Sequence, residues 1–486
     1  MKVHYLFLLI IPFVLNSCGD GISGEEFENQ APETYSVVDK INRAGNQRFV
    51  SQINIQWWGD DSDGFVKGYE YSTDKGQTWS YTEKQDSNFL VALPEGSDTF
   101  DFAFSVRAID NEALADPTPT VVVYPVKNSA PDISFDIPQG TPSSPSRFPK
   151  KTFPILQFKW LVDDPDGFAN LDYIEFFAND TTSNGVIISK DFSSLLLEAD
   201  DPEADLTDAR IYLGSTLKAT DDKIEGLKLN SKNVFYLRAT DKVGAKSGFK
   251  RTDSIYLKKK VSDALLVNAY SSQVESREDF YINNLIAAGI ADFDTIRVNE
   301  VEIDRYTQLA ADNVTQSRIF ALFDVLIWFG QDASYTLTLA QRTTGDFLTN
   351  GGKMFVSVFF STSVDQQSTY LDFTPIDSLV EPTSGVFFMD KNAEATALDP
   401  DWPTLIAPRI ITSTRPFYPG FGVTPLYNAQ LKTTAGDWTG ESTIIASREQ
   451  EGETQFIISS LELYRLDGGK NMPELFTKIF KDELGL

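Results

Sequence analysis

Apolar and polar positions change rhythm twice along this chain. From residue 34 to 127 they alternate over short runs: Ile53, Ile55 and Trp57 are interleaved with Asn54 and Gln56, and Phe102, Phe104, Val106 and Ala108 repeat the pattern. A period of two is that of a strand with one face buried. Asp60-Asp61-Ser62-Asp63-Gly64 is a turn between two such strands, and 120–126 is a last β-rich run. Regularly spaced short strands predict an antiparallel β-sandwich over 34–127.

The same grammar then recurs over 128–261. Phe158-Lys159-Trp160 precedes Asp163-Asp164-Pro165-Asp166-Gly167, as Ile55-Gln56-Trp57 precedes the first acidic turn. Later, Phe235-Tyr236-Leu237-Arg238-Ala239-Thr240-Asp241 echoes Phe104-Ser105-Val106-Arg107-Ala108-Ile109-Asp110. An internal duplication explains both matches, with a longer middle in the second copy around 183–209. These residues resemble fibronectin type III and PKD-type immunoglobulin-like domains, in which an early-strand Trp packs the core. That likeness implies fold and says little about function.

From residue 262 the rhythm changes again. The continuous apolar runs ALLVNA (264–269), FDVLIWF (323–329) and KMFVSVFF (353–360) suit parallel strands buried on both faces. Ser276-x-x-Asp279 reads as a capping box for a helix closed by Gly289, and 336–350 suits a helix closed by Gly351-Gly352. Residues 442–447 and 454–460 can pair as a hairpin, and a last helix starts near Asn471. Strands alternating with helices predict an α/β three-layer domain over 262–486. The order of 324–330, 349–356 and 456–464 resembles the class I glutamine amidotransferase-like superfamily, particularly its non-catalytic members. The fold class expected is therefore multidomain: two antiparallel immunoglobulin-like β-sandwiches, then a flavodoxin/amidotransferase-like α/β domain.

In active members of that superfamily a cysteine follows the strand after the Gly-Gly turn, and a histidine near the chain end serves as its base. Here that strand runs into Phe359-Phe360-Ser361, and the only histidine is His4. With residues 1–17 read as a cleaved signal and Cys18 as the lipid carrier, the mature chain is expected to have neither imidazole nor free thiol, which excludes Ser-His and Cys-His activation and histidine zinc sites. Carboxylates remain a route to hydrolysis, since glycosidases need only two, but 70 acidic residues mark no particular pair. The candidate binding residues are Gln331, Asp332 and Ser361 at the open strand ends, with Trp402 and Tyr418 from an aromatic segment at 399–427. That segment is expected to lie over the carboxyl ends of the strands, where α/β folds bind ligands; its aromatics either stack on a ligand or pack a cap.

Asp61, Asp63 and Glu70 partly match a calcium loop, but Gly59 stands where its first aspartate belongs. Turn closure by Asx hydrogen bonds explains the same residue types and is the preferred reading. No other cofactor is expected. Lys and Arg number 42, so the formal charge is −28, which repels nucleic acid.

The amino end sets the compartment. Lys2 precedes an apolar run at 5–15 (YLFLLIIPFVL), too short to span a bilayer but suited to a signal peptide over 1–17. Leu15-Asn16-Ser17-Cys18 resembles the lipobox of bacterial lipoproteins, and Cys18 is the only cysteine. Residues 18–33, with Glu25, Glu26 and Glu28, read as an acidic tether, similar to those of Bacteroidota lipoproteins. The expectation is an outer-membrane lipoprotein on either face, binding or scaffolding without catalysis, with a glycan or envelope-protein partner. Alternatives are a carboxylate-dependent hydrolase or accessory subunit of polysaccharide processing, and a structural subunit of a secretion or motility assembly. Cys18→Ala should abolish labelling by radioactive fatty acid and move the protein out of the membrane fraction; retained label and retained membrane association would contradict the anchor.

Overall fold

A computed structural model describes residues 28–486 apart from 45–47, 92–93, 95–96, 138–147, 184, 271–274, 300–305 and 362–363. Cys18 and most of the tether lie outside the described residues. The chain divides into two compact units, Met1–Asn128 and Ser129–Leu486. No helix among the described residues is long and apolar enough to cross a membrane.

In the first unit, one sheet has the strand order Glu33–Ala44, Arg48–Asp60, Asp86–Leu90. The other has the order Ser80–Thr82, Val66–Ser72, Thr99–Asp110, Thr120–Lys127. Numbered along the chain, strands 1-2-5 face 4-3-6-7, and all pairs are antiparallel: an immunoglobulin-like sandwich. Inward positions of the alternating runs make the core, with the Trp57 and Phe104 rings 5.4 Å apart.

The second sandwich repeats this skeleton. Trp160 and Phe158 are buried, and the Phe158 and Phe235 rings lie 4.7 Å apart. Glu175 is in register with Arg238, as Glu70 is with Arg107, and each pair forms a cross-strand ion pair, at 2.7 and 2.6 Å. Asp241 and Asp110 each accept backbone N–H groups from the turn that follows them. The longer middle of the second copy is a sheet extension, the strands Leu206–Leu213 and Lys218–Lys228 added beyond Ser194–Ala199.

The remaining chain forms a ten-stranded mixed sheet. Its elements are β1 (Ala264–Asn268), α1 (Glu275–Ala287), β2 (Asp294–Arg297), β3 (Thr307–Gln308), α2 (Asn313–Phe320), β4 (Val325–Gly330), α3 (Ala333–Thr343) and β5 (Lys353–Val358). There follow β6 (Glu394–Ala397), β7 (Leu405–Ile406), β8 (Val423–Ala429), β9 (Thr443–Gln450), β10 (Glu453–Ser459) and α4 (Met472–Phe476). The order across the sheet is β3-β2-β1-β4-β5-β10-β9-β8-β6-β7. The first six are parallel, and antiparallel pairing takes over from β10 to β9. The hairpin expected of 442–447 and 454–460 is the antiparallel pair β9–β10, and strands β6, β7 and β8, which were not expected, extend the antiparallel half of the sheet beyond it.

Alternate residues of the central strands feed two cores. Leu266, Ile327, Phe329 and Phe355 pack with Tyr281 and Leu285 of α1 and with Phe476 and Phe480. Leu265, Val267, Trp328 and Val356 pack with Phe320 of α2 and Leu337 of α3. Two details differ from the sequence expectation. Helix α1 begins at Glu275, so Ser276 lies inside its first turn instead of capping it. The helix expected over 336–350 ends at Thr343, and a separate short helix, Gly345–Thr349, follows Thr344.

The second sandwich shares the α2-side core through Phe153, Ile155 and Leu196. Phe153 meets Phe323 edge-to-face at 5.2 Å, and Arg318 reaches Glu198 at 2.5 Å while lying over the Tyr212 ring. Asp294, fully buried, pairs with Lys258 and accepts the Val261 and Ser262 N–H groups, fastening the connector to β2. Removing a fully buried Phe costs about 3–5 kcal/mol. Phe153→Ala should therefore lower the denaturant stability of the Ser129–Leu486 unit by about that much, with both of its parts unfolding earlier together. A loss below about 1 kcal/mol, outside that range, would show that the contact is peripheral.

Candidate functional site

The strand order reverses at β1, which has β2 on one side and β4 on the other, and the carboxyl ends of strands at such a reversal are where open α/β sheets bind ligands. The chain leaves the sheet there at Ala269-Tyr270, Gly330-Gln331-Asp332, Phe359-Phe360-Ser361 and Ser460-Leu461-Glu462. Gly330 is required by closeness: a Cβ there would stand 2.9 Å from Thr336 Oγ1 and 3.1 Å from Ala269 Cβ.

Glu462 is the centre of this region, its side chain only 1% exposed. Tyr270 OH donates to one carboxylate oxygen at 2.9 Å, and Arg277 Nη1 approaches the same oxygen at 3.5 Å. Arg465 Nε donates to the other at 2.6 Å, joined by Tyr464 OH at 3.3 Å. Both guanidiniums lie over the Tyr464 ring, Arg277 also over Tyr270 and Arg465 over Phe359. Burial, then the neighbouring Tyr281 and Glu462, pushes the Tyr270 phenol well above its ordinary range, so it acts as a neutral donor.

A second buried group lies deeper. Ser357 Oγ donates to Leu461 O at 3.1 Å, accepts Leu463 N–H at 3.2 Å, and is 2.8 Å from Tyr281 OH. With its own proton on Leu461 O, Ser357 accepts from the phenol. Beside it, Glu278 and Arg297 form a buried ion pair, with Arg297 over the Tyr306 ring.

Of the residues singled out from the sequence, Gln331 joins this network, receiving Arg277 Nη1 at 3.5 Å. Asp332 instead caps α3, accepting Tyr335 N–H at 3.0 Å. Ser361 is half-buried, and its carbonyl accepts Val364 N–H at the strand exit. Trp402 is buried against Tyr427, their rings 6.0 Å apart, and contributes to the core instead of offering a stacking face. Tyr418 is exposed on the short strand Phe417–Pro419, paired with Ile376–Leu379, beside the fully exposed Phe421. The aromatic segment thus divides, since part of it is consumed by the added strands.

The calcium-loop reading fails at Glu70, whose carboxylate is held by Arg107 across the strand pair. Asp63 accepts Gln30 N–H at 3.0 Å, as a turn or loop anchor would. Among the described residues, no three His, Cys, Asp or Glu side chains have the arrangement of a metal centre.

Tyr270, Arg277, Glu462, Tyr464 and Arg465 were not picked out from the sequence. The available signal was an acidic residue, Glu462, placed directly after the apolar run 456–461, where a buried charge needs partners.

No family model matches the chain, and no curated protein matches it. Among solved structures, the PKD1 domain of Vibrio anguillarum Epp is 16% identical, with 21% of this chain and 98% of that one covered and a TM-score of 0.15. The Clostridium thermocellum CbhA fibronectin(III)-like modules are 15% identical, covering 46% of this chain and 94% of theirs at a TM-score of 0.16. The chicken CNTN1 FN1–FN3 domains are 10% identical, covering 48% and 99% at 0.16. Likeness at these TM-scores carries no argument for function.

Removing one member of a buried ion pair strands the others and costs about 3–5 kcal/mol. Glu462→Ala should destabilise the Ser129–Leu486 unit by about 3 kcal/mol, the low end because both guanidiniums reach solvent. Glu462→Gln should cost less, since it keeps the acceptor for Tyr270. Equal stability of wild type and Glu462→Ala in urea unfolding would contradict this account.

Proposed function

We propose that this protein is a lipid-anchored cell-envelope module that binds or scaffolds without catalysis, its two sandwiches carrying a flavodoxin/amidotransferase-like binding domain. The observation that carries the reading is the state of the buried hydroxyl and carboxylate at the carboxyl ends of the strands. Ser357 has its proton committed to a backbone carbonyl, and Glu462 is saturated by two guanidiniums and two phenols. A general base needs a free lone pair directed at the proton it removes, and a nucleophilic hydroxyl needs such a base beside it. Neither condition is met here. The same arrangement favours holding a ligand. Arg277 and Arg465 are each about a quarter exposed and kept rigid by stacking and by Glu462, so a ligand need not order them.

The purified protein should show no turnover of amide, ester or glycoside substrates, and Ser361→Ala should leave binding unchanged. Saturable binding to an envelope glycan or protein, weakened at least about tenfold by Arg277→Ala (a loss of about 1.4 kcal/mol), is the expected result. Turnover that survives repurification and disappears on changing one or two carboxylates would replace this reading with a carboxylate-dependent hydrolase.

A further inference from the structure

Four interior strands of the mixed sheet deliver side chains to one point. Tyr270 follows β1, Gln331 follows β4, Phe359 follows β5, and Glu462, Tyr464 and Arg465 follow β10, while α1 contributes Arg277 from its first turn. Arg277 and Arg465 both reach the Glu462 carboxylate, at 3.5 and 2.6 Å. Both also lie over the Tyr464 ring, 5.2 and 5.6 Å from its centre. Two separate sets of contacts therefore hold these guanidiniums together.

The charge gathered there opposes that of the chain. Two guanidiniums against one carboxylate leave a formal +1, in a protein whose formal charge is −28. The adjoining pair, Glu278 with Arg297, is neutral by itself and leaves that balance unchanged.

The donors are only partly used. Among the described residues, the hydrogen bonds and ion pairs of the two guanidiniums engage Arg277 Nη1 and Arg465 Nε. Arg277 keeps Nε and Nη2, and Arg465 keeps Nη1 and Nη2. Each such pair of N–H groups matches the two oxygens of a carboxylate. Both arginine side chains are 26% exposed, within reach of a ligand, whereas Glu462 at 1% lies behind them.

The size of the local charge selects the anion. A carboxylate brings one negative charge and balances the +1. A phosphate monoester brings about −1.5 to −2 at pH 7 and would leave an excess in an already acidic protein. An acidic peptide fits less well than a sugar, because a peptide that binds by its main chain adds to a sheet edge. Strands β1, β4, β5 and β10 each have a neighbour on both sides and offer no such edge. The polar groups beside the guanidiniums, the Tyr464 phenol and the Gln331 amide, are uncharged and of the kind that bond hydroxyls.

On the premise that this region is a binding site, we propose that Arg277 and Arg465 hold the carboxylate of a sugar acid, a ring with one carboxylate among its hydroxyls. Glu462 is a positioning residue in this arrangement. It orients both guanidiniums from the buried side and also cancels one unit of their charge. Removing that charge while keeping the side chain's shape should therefore strengthen the grip on an anion.

The test titrates the full chain with D-glucuronate and D-galacturonate, and with glucose and galactose as their uncharged parents, by calorimetry and saturation-transfer NMR at pH 7 and low salt. At least one uronate should bind at least about tenfold more tightly than its parent sugar, a difference of about 1.4 kcal/mol. High salt should weaken that binding, because the guanidiniums are partly exposed. Arg277→Ala should remove the preference for the acid, and Glu462→Gln should raise uronate affinity several-fold although it lowers stability. If Glu462→Gln fails to fold, Arg277→Lys decides: it keeps the charge and loses the paired N–H groups, so most of the preference should disappear. Parent sugars bound as tightly as the acids would overturn the assignment and leave the binding reading standing, whereas turnover of a glycan would end that reading itself. Absence of uronate binding up to about 50 mM, beyond the millimolar range of weak complexes, would also overturn the assignment. Tighter binding of inorganic phosphate or of a glutamate-rich peptide would do the same.

Discussion

Burial of the central parallel strands on both faces is the constraint from which the second unit is built. Strands β1 and β4 expose no residue at all, so each needs an apolar layer above and below. Helices α1 and α4 supply one layer, and α2 and α3 the other. The α2 side is completed by the second sandwich, whose Phe153 and Ile155 enter the same core. A sheet of this kind also has two edges to protect. On one side the short strand β3 ends it, and on the other the added strands β8, β6 and β7 extend it until β7 makes only a two-residue pairing.

The same burial decides what can happen at the carboxyl ends. Polar groups that follow an apolar strand are drawn partly into the low-dielectric interior and must find partners there. Glu462 does so through two arginines and two tyrosines, and Ser357 through a phenol and two backbone groups. Full satisfaction of these groups makes the network rigid. Each group here is spent on its neighbours and so helps to hold the strand ends together.

Much of this was legible in the sequence because burial leaves periodic marks. Period-two alternation placed Trp57 and Phe104 inside one sandwich and Trp160 and Phe235 inside another. The unbroken runs at 264–269 and 323–329 marked strands covered on both faces. What failed was whatever depends on partners distant along the chain. Glu70 sits at a calcium-loop spacing, yet its fate is set by Arg107, 37 residues on. Trp402 is aromatic in an irregular segment, yet Tyr427 and the added strands decide that it is core. The Glu462 network draws on Tyr270, 192 residues earlier, and no local pattern announces such a meeting.

The two sandwiches share a skeleton, an acidic turn and a cross-strand Glu–Arg pair, so their differences reveal what each copy was adapted to do. The second copy's longer middle is visible in the sequence only as extra residues. In the structure it builds the strands Leu206–Leu213 and Lys218–Lys228 onto Ser194–Ala199, and this enlarged sheet is the face that meets α2. Leu196 enters the shared core, Tyr212 and Leu217 pack against it, and Glu198 receives Arg318. The first copy has only Ser80–Thr82 and Asp86–Leu90 in the corresponding stretch, too little for such a face. The insertion therefore converts a repeated bead into part of a larger fold. Within the Ser129–Leu486 unit, the second sandwich is a supporting wall of the mixed sheet, joined to it through Phe153, Arg318 and Asp294.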